Sequence, residues 1–336
     1  MMQHAKIKLA FLIPLIVIAA IHAAGLADSD EIATTGFAQR SGEIVRLRPG
    51  GAAEQAGLKV GDQVQTIDGV APADLPSWPR TEVGQVREIV VERDGETLTL
   101  GLTQERLPPI FMALFFGMTL VMACFLLAGA WAYLREPGSA TLLLGLFGLF
   151  MGAALVAQPR FTSELVTNIG NTFTTLAFCW SMAFLLHLAL RHPEPGRVLR
   201  SRIGWMLVHA LPALSAITIL LLIVLGRDPS KGVGGIVSTA MGLGSLGFLF
   251  LSVVLFARSW FKATSGDRVT SGLNVILLGL AASILPIVFV IVLNMVAPRF
   301  VGPGVQFLFL SLGLLPLFLA HALTRPRTAT ASALAA

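Results

Sequence analysis

The chain has 336 residues, of which 55% are hydrophobic and 13% charged, with a mean hydropathy of +0.78. Soluble domains carry about 25% charged residues, so a wholly aqueous fold is excluded and a bilayer must take much of the apolar surface. The net charge of +5 is not a nucleic-acid signature, because the basic residues gather in short connections between apolar runs.

The chain opens Met1-Met2-Gln3-His4-Ala5-Lys6-Ile7-Lys8, short and positive, and residues 9–27 follow without an acid, Lys or Arg. This reads as a membrane anchor or a signal peptide. Gly25-Leu26-Ala27 ahead of Asp28 fits small-x-small cleavage, and the apolar centre before His22 runs about a dozen residues, a length that suits a signal peptide. The uncleaved anchor is the reading adopted; under either one, the residues that follow are exported.

Residues 28–107 hold 14 of the 19 acids and are punctuated by glycines. Strands are expected at 43–48 and 64–67. Two more, at 86–92 and 97–103, are joined by Asp94-Gly95, a strong hairpin signal. A short helix at 52–56 ends at Gly57. The segment is expected to form a β-rich module of about 80 residues, a plausible size for a small independent core.

From Pro109 the chain becomes a series of apolar runs, with spans expected near 109–134, 139–157, 168–190, 205–226, 234–257, 271–297 and 303–323. Most are long enough to cross a hydrocarbon core of about 30 Å at about 1.5 Å per residue, and 139–157 is the shortest. One alternating set of connections carries twelve Lys and Arg; the opposite short loops carry four, Arg160, Arg227, Lys231 and Arg299. That bias puts the termini in the cytoplasm and residues 28–107 outside, in a bacterial inner membrane.

The most informative motif runs from Arg48 to Gly69: Arg48-Pro49-Gly50-Gly51-Ala52-Ala53-Glu54-Gln55-Ala56-Gly57-Leu58-Lys59-Val60-Gly61-Asp62-Gln63-Val64-Gln65-Thr66-Ile67-Asp68-Gly69. Pro49-Gly50 turns the chain, and Ala53 and Ala56 let a short helix pack closely. Gly57 caps that helix before Leu58, and Gly61-Asp62 turns into the strand ending at Ile67. The motif resembles the centre of a bacterial PDZ domain of the kind found in exported proteases, a likeness extending over residues 36–103. It implies capture of an extended peptide as an added strand, its terminal carboxylate held by backbone N–H groups. The matching loop is Thr34-Thr35-Gly36-Phe37, which makes Thr35, Gly36 and Phe37 the candidate peptide contacts. The facing wall, ordinarily a helix, falls on Ala73-Asp74-Leu75-Pro76-Ser77-Trp78-Pro79, whose prolines shorten any helix there. Both an open groove and a closed, spacer-like domain fit these residues, and the closed one fits better.

A second likeness lies in the membrane part. Phe184-Leu185-Leu186-His187-Leu188-Ala189-Leu190-Arg191-His192-Pro193-Glu194-Pro195 ends one helix, and a helix–Pro pattern recurs from Asp267 through Leu285-Pro286 to Pro316 and His321. With an exported PDZ-like module, this resembles the sensory half of competence quorum-sensing histidine kinases. In that family a kinase, phosphatase or cyclase follows the last helix; here only the short tail 326–336 is expected.

Other chemistries fit poorly. None of the six His is followed by Glu, so there is no HExxH zinc-protease helix. Gly242-Leu243-Gly244-Ser245-Leu246-Gly247 is superficially a serine-protease site but reads as small residues for helix packing, as do Gly148 and Gly152. His187, His209 and His321 lie toward the same membrane side and form a low-ranking metal set; hydrogen-bonded helix ends are preferred, and no metal or cofactor is expected. Cys124 and Cys179 read as inert buried thiols. Asn168, Asn171, Asn274, Asn294 and Gln306 read as interhelical glue, and the lack of charges at span centres argues against ion-coupled transport. Pro212, Pro286 and Pro316 are expected to kink their helices.

The sequence therefore predicts a membrane all-α bundle of seven or eight transmembrane helices with an inserted small β-rich, PDZ-like domain. Its parts are an anchor at 1–27, the module at 28–107, the bundle at 108–325 and the tail. The expected function is a non-enzymatic sensor or accessory signalling protein with three partners: the lipid bilayer, a peptide or protein ligand, and a separate signalling protein. A permease-like transporter and a scaffold recruiting exported proteins are the alternatives.

Overall fold

The structure, a computed structural model, describes residues 2–27, 33–40, 42–72, 82–159, 164–193, 202–227, 232–297 and 303–325. The expected facing wall at 73–79, the Asp28 cleavage position and the tail 326–336 lie outside these residues.

Helix α1 (Met2–Ala27) leads to a small antiparallel β module. Its strands are β1 (Ala33–Thr34), β2 (Phe37–Arg40), β3 (Glu43–Leu47), β4 (Gln63–Ile67), β5 (Val86–Arg93), β6 (Glu96–Thr103) and β7 (Glu105–Arg106). Strands β2 to β6 form one sheet in chain order, while β1 pairs with β7. The hairpin of β5 and β6 closes with Arg93 opposite Glu96, and Asp94 and Gly95 have φ of 52° and 83°. Two successive positive φ values are what a two-residue hairpin turn with the right-handed strand twist requires. Alternation in β5 puts Arg87, Ile89 and Val91 on the buried face. There the two apolar residues join Ile44, Ala53, Leu58, Val64, Ile67 and Leu102 in the core.

The helical part comprises α3 (Pro109–Arg135), α4 (Ser139–Ala154), α5 (Glu164–Arg191), α6 (Arg202–Val224), α7 (Val233–Lys262), α8 (Ser265–Thr270) and α9 (Leu273–Val296). The last run holds α10 (Pro303–Gln306), a 3-10 stretch (Phe307–Gly313) and α11 (Leu314–Leu323); the four-residue α2 (Ala52–Gln55) lies in the β module. Among the described residues, six segments are long and apolar enough to cross a membrane: Pro109–Arg135, Ile169–Arg191, Arg202–Val224, Val233–Lys262, Leu273–Val296 and Gly304–Leu323. Their wide exposed apolar faces, with Ile203, Leu214, Phe250 and Leu285 each more than 60% exposed, suit contact with a bilayer.

Helix α4, with 16 residues, is about 24 Å long at 1.5 Å per residue and so is not among the six. It is nonetheless central, because glycines let backbones touch. A Cβ on Gly148 would collide with the Phe125 carbonyl oxygen of α3, and one on Gly129 would lie 2.9 Å from the Leu144 carbonyl oxygen of α4. Phe125 and Phe147 meet edge to face at 5.4 Å in the largest core, which also takes in Leu185, Leu188, Phe256 and Leu319.

Helix α1 docks on this bundle. The Ala157 N–H donates to His22 Nδ1 at 2.9 Å, so the ring proton sits on Nε2 and points to Thr119 Oγ1, also at 2.9 Å. Ile18 packs with Met122 and Leu126 one turn away.

The final run, expected as a span near 303–323, is of membrane length from Gly304 to Leu323, with a 3-10 middle at Phe307–Gly313. Pro316 stands in the first turn of α11, directly after the 3-10 stretch. Pro212 and Pro286 do lie inside α6 and α9. Close to Pro286, the Ser311 hydroxyl of the 3-10 stretch donates to the Ser283 carbonyl at 2.9 Å, an outside donor reaching the turn that the proline perturbs.

Candidate functional site

Among the described residues, functional groups gather in the loop between β1 and β2 and at the α5–α6 contact in the bundle.

In the loop, Gly36 has φ of 76°. Its N–H donates to Thr34 Oγ1 at 3.3 Å and its carbonyl accepts from the Arg48 N–H at 2.8 Å. Thr35 is half-buried beside it, and Phe37 packs half-buried against the module core. The site holds a carboxylate already, that of Glu105 from β7. Glu105 is ion-paired with Arg48 and accepts from the Ala52 N–H at 3.2 Å. A Cβ at Gly36 would stand 2.9 Å from Glu105 Oε1, and one at Gly51 would stand 3.1 Å from it. Glycines at both positions therefore leave room for the chain's own acid, a role that the motif alone did not reveal.

The motif residues take defined conformations. Pro49 and Gly50 (φ 68°) occupy the middle of a turn closed by the Gly51 N–H donating to the Arg48 carbonyl, a pair that suits a type II turn. Helix α2 ends at Ala56 with the Gly57 N–H donating to the Glu54 carbonyl and the Leu58 N–H to the Ala53 carbonyl, both at 3.0 Å. This is the double bond of a Schellman cap, and it drops Leu58 into the core beside Ala53. Gly57 has φ of 87° with open space where a Cβ would go. Replacing it with Val therefore meets no collision and reports backbone conformation alone. We expect Gly57→Val to destabilise the module by about 1–2 kcal/mol, read as faster hydrogen exchange of the Leu58 amide in the full-length protein.

Gly61 (φ 97°) delivers Asp62 to the module's strongest polar contact. The Asp62 side chain is 1% exposed; its carboxylate accepts from Arg93 Nε and Nη2 at 2.7 Å each and from the Lys59 N–H at 2.7 Å. Hydrogen bonding by the Arg93 guanidinium holds the Asp62 carboxyl below the usual carboxylate range, against the opposing effect of burial. Asp68 and Gly69 form the turn after Ile67, with φ of 51° and 77°. Arg87, whose Nε lies 2.6 Å from Asp68 Oδ2, likewise lowers the Asp68 carboxyl.

In the bundle, the structure brings together two of the three singled-out histidines. His187 Nδ1 of α5 lies 3.1 Å from His209 Nε2 of α6, with each residue only 5% exposed. Trp180 stacks on His209 at 5.5 Å, and Phe184 and Trp205 close the box at 5.2 and 5.1 Å. His321 stays apart, exposed on α11, where its Nε2 accepts from Arg325 Nε at 3.2 Å. The three-His metal set is therefore not assembled: His321 belongs to another helix end. No group of three or more His, Cys, Asp or Glu suited to a metal occurs among the described residues. The aromatic partners were visible as Trp180, Phe184 and His187 at i, i+4 and i+7, and Trp205 and His209 at i and i+4, spacings that place each set on one helix face.

Ser245 is buried beside the Cys179 thiol and is joined to none of these histidines. Gly244 beside it abuts the Leu211 side chain of α6, a packing role. No known protein-family model matches the chain.

Proposed function

We propose that the chain is a non-enzymatic membrane sensor or accessory signalling protein. In this reading its PDZ-like β module faces the outside of a bacterial inner membrane, and the bundle relays occupancy to a separate signalling partner. Helices α1 and α4 also cross, giving eight spans, with α4 held in a locally thinned bilayer. The alternating basic connections support that count, since they keep both termini on the cytoplasmic side only if α4 returns the chain.

The observation that carries the reading is the join between module and bundle. Strand β7 pairs with β1, Glu105 reaches back to Arg48 and Ala52, and Leu107-Pro108 then lead directly into α3. A ligand competing at the Gly36 loop would disturb a carboxylate four residues from the start of a membrane helix. Relay of that kind requires differential binding to two bundle states.

The test places a photo-cross-linking amino acid at Phe37 in the full chain in cells, with cysteine reporters at Glu136 and Gln158 in a background lacking Cys124 and Cys179. The expected result is a discrete adduct with an exported polypeptide, labelling of position 158 but not 136 from outside, and no solute flux in proteoliposomes. Flux that depends on the protein would move it to the transporters. Outside labelling at 136 would invert the topology and sink the reading.

A further inference from the structure

We propose that His187 and His209 bind one soft monovalent metal ion, Cu(I), at the α5–α6 contact, a site that stands whether or not the β module captures a peptide. The geometry comes first. Two imidazole nitrogens that hold a two-coordinate, near-linear ion at about 2 Å each lie about 4 Å apart. His187 Nδ1 and His209 Nε2 are 3.1 Å apart on neighbouring helices and face each other, so an ion enters between them when the pair opens by about 1 Å.

Coordination number and charge then select the ion. Zinc prefers four ligands, and no third His, Cys, Asp or Glu completes a metal-binding group among the described residues. Two neutral nitrogens suffice for Cu(I). Helices α4, α6 and α7 contain no carboxylate, and the only one on α5, Glu164, is at the opposite end from His187. Arg191, one turn beyond His187, adds positive charge. A dication would be buried with no carboxylate from these helices, among the described residues, to balance it, whereas the desolvation of a monovalent ion is roughly a quarter as large, since it scales with the square of the charge.

The surroundings favour a cation in a second way. Trp180, Phe184 and Trp205 present rings at 5.1–5.5 Å from the His209 ring, and aromatic faces attract a desolvated cation. His209 Nδ1 is buried with no hydrogen-bond partner. Metal at Nε2 fixes that nitrogen as N–H, a donor that ring faces accept better than they accept a bare lone pair.

The full-length chain, with Cys124→Ala and Cys179→Ala to remove thiol ligands, is purified in detergent and loaded with Cu(I) under reducing conditions against bicinchoninate. One retained ion per chain is expected. Retention should fall at least tenfold in His187→Gln and in His209→Gln and stay unchanged in His321→Ala, with each variant checked for an unaltered elution profile. X-ray absorption of the Cu(I)-loaded parent protein, which needs no histidine variant, should show two nitrogen neighbours. Ag(I) should compete and Zn(II) should not. Failure of the folded parent protein to retain Cu(I), retention indifferent to both Gln variants, or equal retention of Zn(II) overturns the site and leaves a hydrogen-bonded pair that fastens α5 to α6.

Discussion

Gly148→Leu will separate α3 from α4 and lower the melting temperature of the detergent-solubilised protein. The Cβ of any larger residue at 148 points at the Phe125 carbonyl oxygen at a separation that real Cβ atoms do not reach. A backbone oxygen cannot rotate away as a side chain can, so the helices themselves must part. Overpacking of this kind costs about 1–3 kcal/mol and sometimes more. At Gly148 the upper end applies, because the opened seam contains the Phe125–Phe147 contact. Gly247→Leu supplies the control, since nothing lies within 4 Å of its added Cβ. Thermal unfolding followed by size-exclusion chromatography should separate the two variants; equal melting temperatures would refute close packing of α3 on α4.

Acid will unfold the β module by releasing Asp62 from Arg93. The Asp62 carboxyl titrates below its ordinary value of 3.8 because the guanidinium favours its charged form. A depressed carboxylate contributes stability that is complete above the unfolded value and disappears as pH falls through the folded one. The module should therefore be indifferent to pH between about 5 and 7 and weaken progressively below about pH 4, with Asp68 adding in the same direction. Asp62→Asn keeps the size of the side chain but loses the charge, at a cost of about 1.5–3 kcal/mol near neutrality, the usual worth of hydrogen bonds to a charged group. Its stability should also depend less on acid. Methyl resonances of Ile44 and Ile89, both fully buried, would report the module within the intact protein. An unchanged acid response in Asp62→Asn would assign that response elsewhere.

What could be read from the sequence was mainly what is local. Asp94-Gly95 and Gly57 are governed by their own φ angles, so the hairpin and the end of α2 followed from residue identity. The Asp62–Arg93 pair spans 31 positions and the His187–His209 pair 22, and composition does not indicate which distant partners the fold will bring together. Glu105 is a clear case: it reads as one more acid in a polar segment until β7 folds back beside β1. The run 303–323 is a span as expected, but its 3-10 middle was hidden for a different reason. Hydropathy registers the length of an apolar segment but not its hydrogen-bond pattern, so a 3-10 stretch ahead of Pro316 looks the same as a continuous helix.

The way α1 is fastened has a mechanical consequence. The chain enters the β module from α1 and leaves it through α3, and these two helices touch where His22 meets Thr119 and Ile18 meets Met122. Helix α3 in turn shares its glycine-lined seam with α4, where Gly129 and Gly148 bring the two backbones into contact. The two helices that flank the module in the chain are thus fastened to each other, and through α3 to the centre of the bundle. A shift of α3 along its axis would therefore have to break the His22–Thr119 hydrogen bond or carry α1 with it.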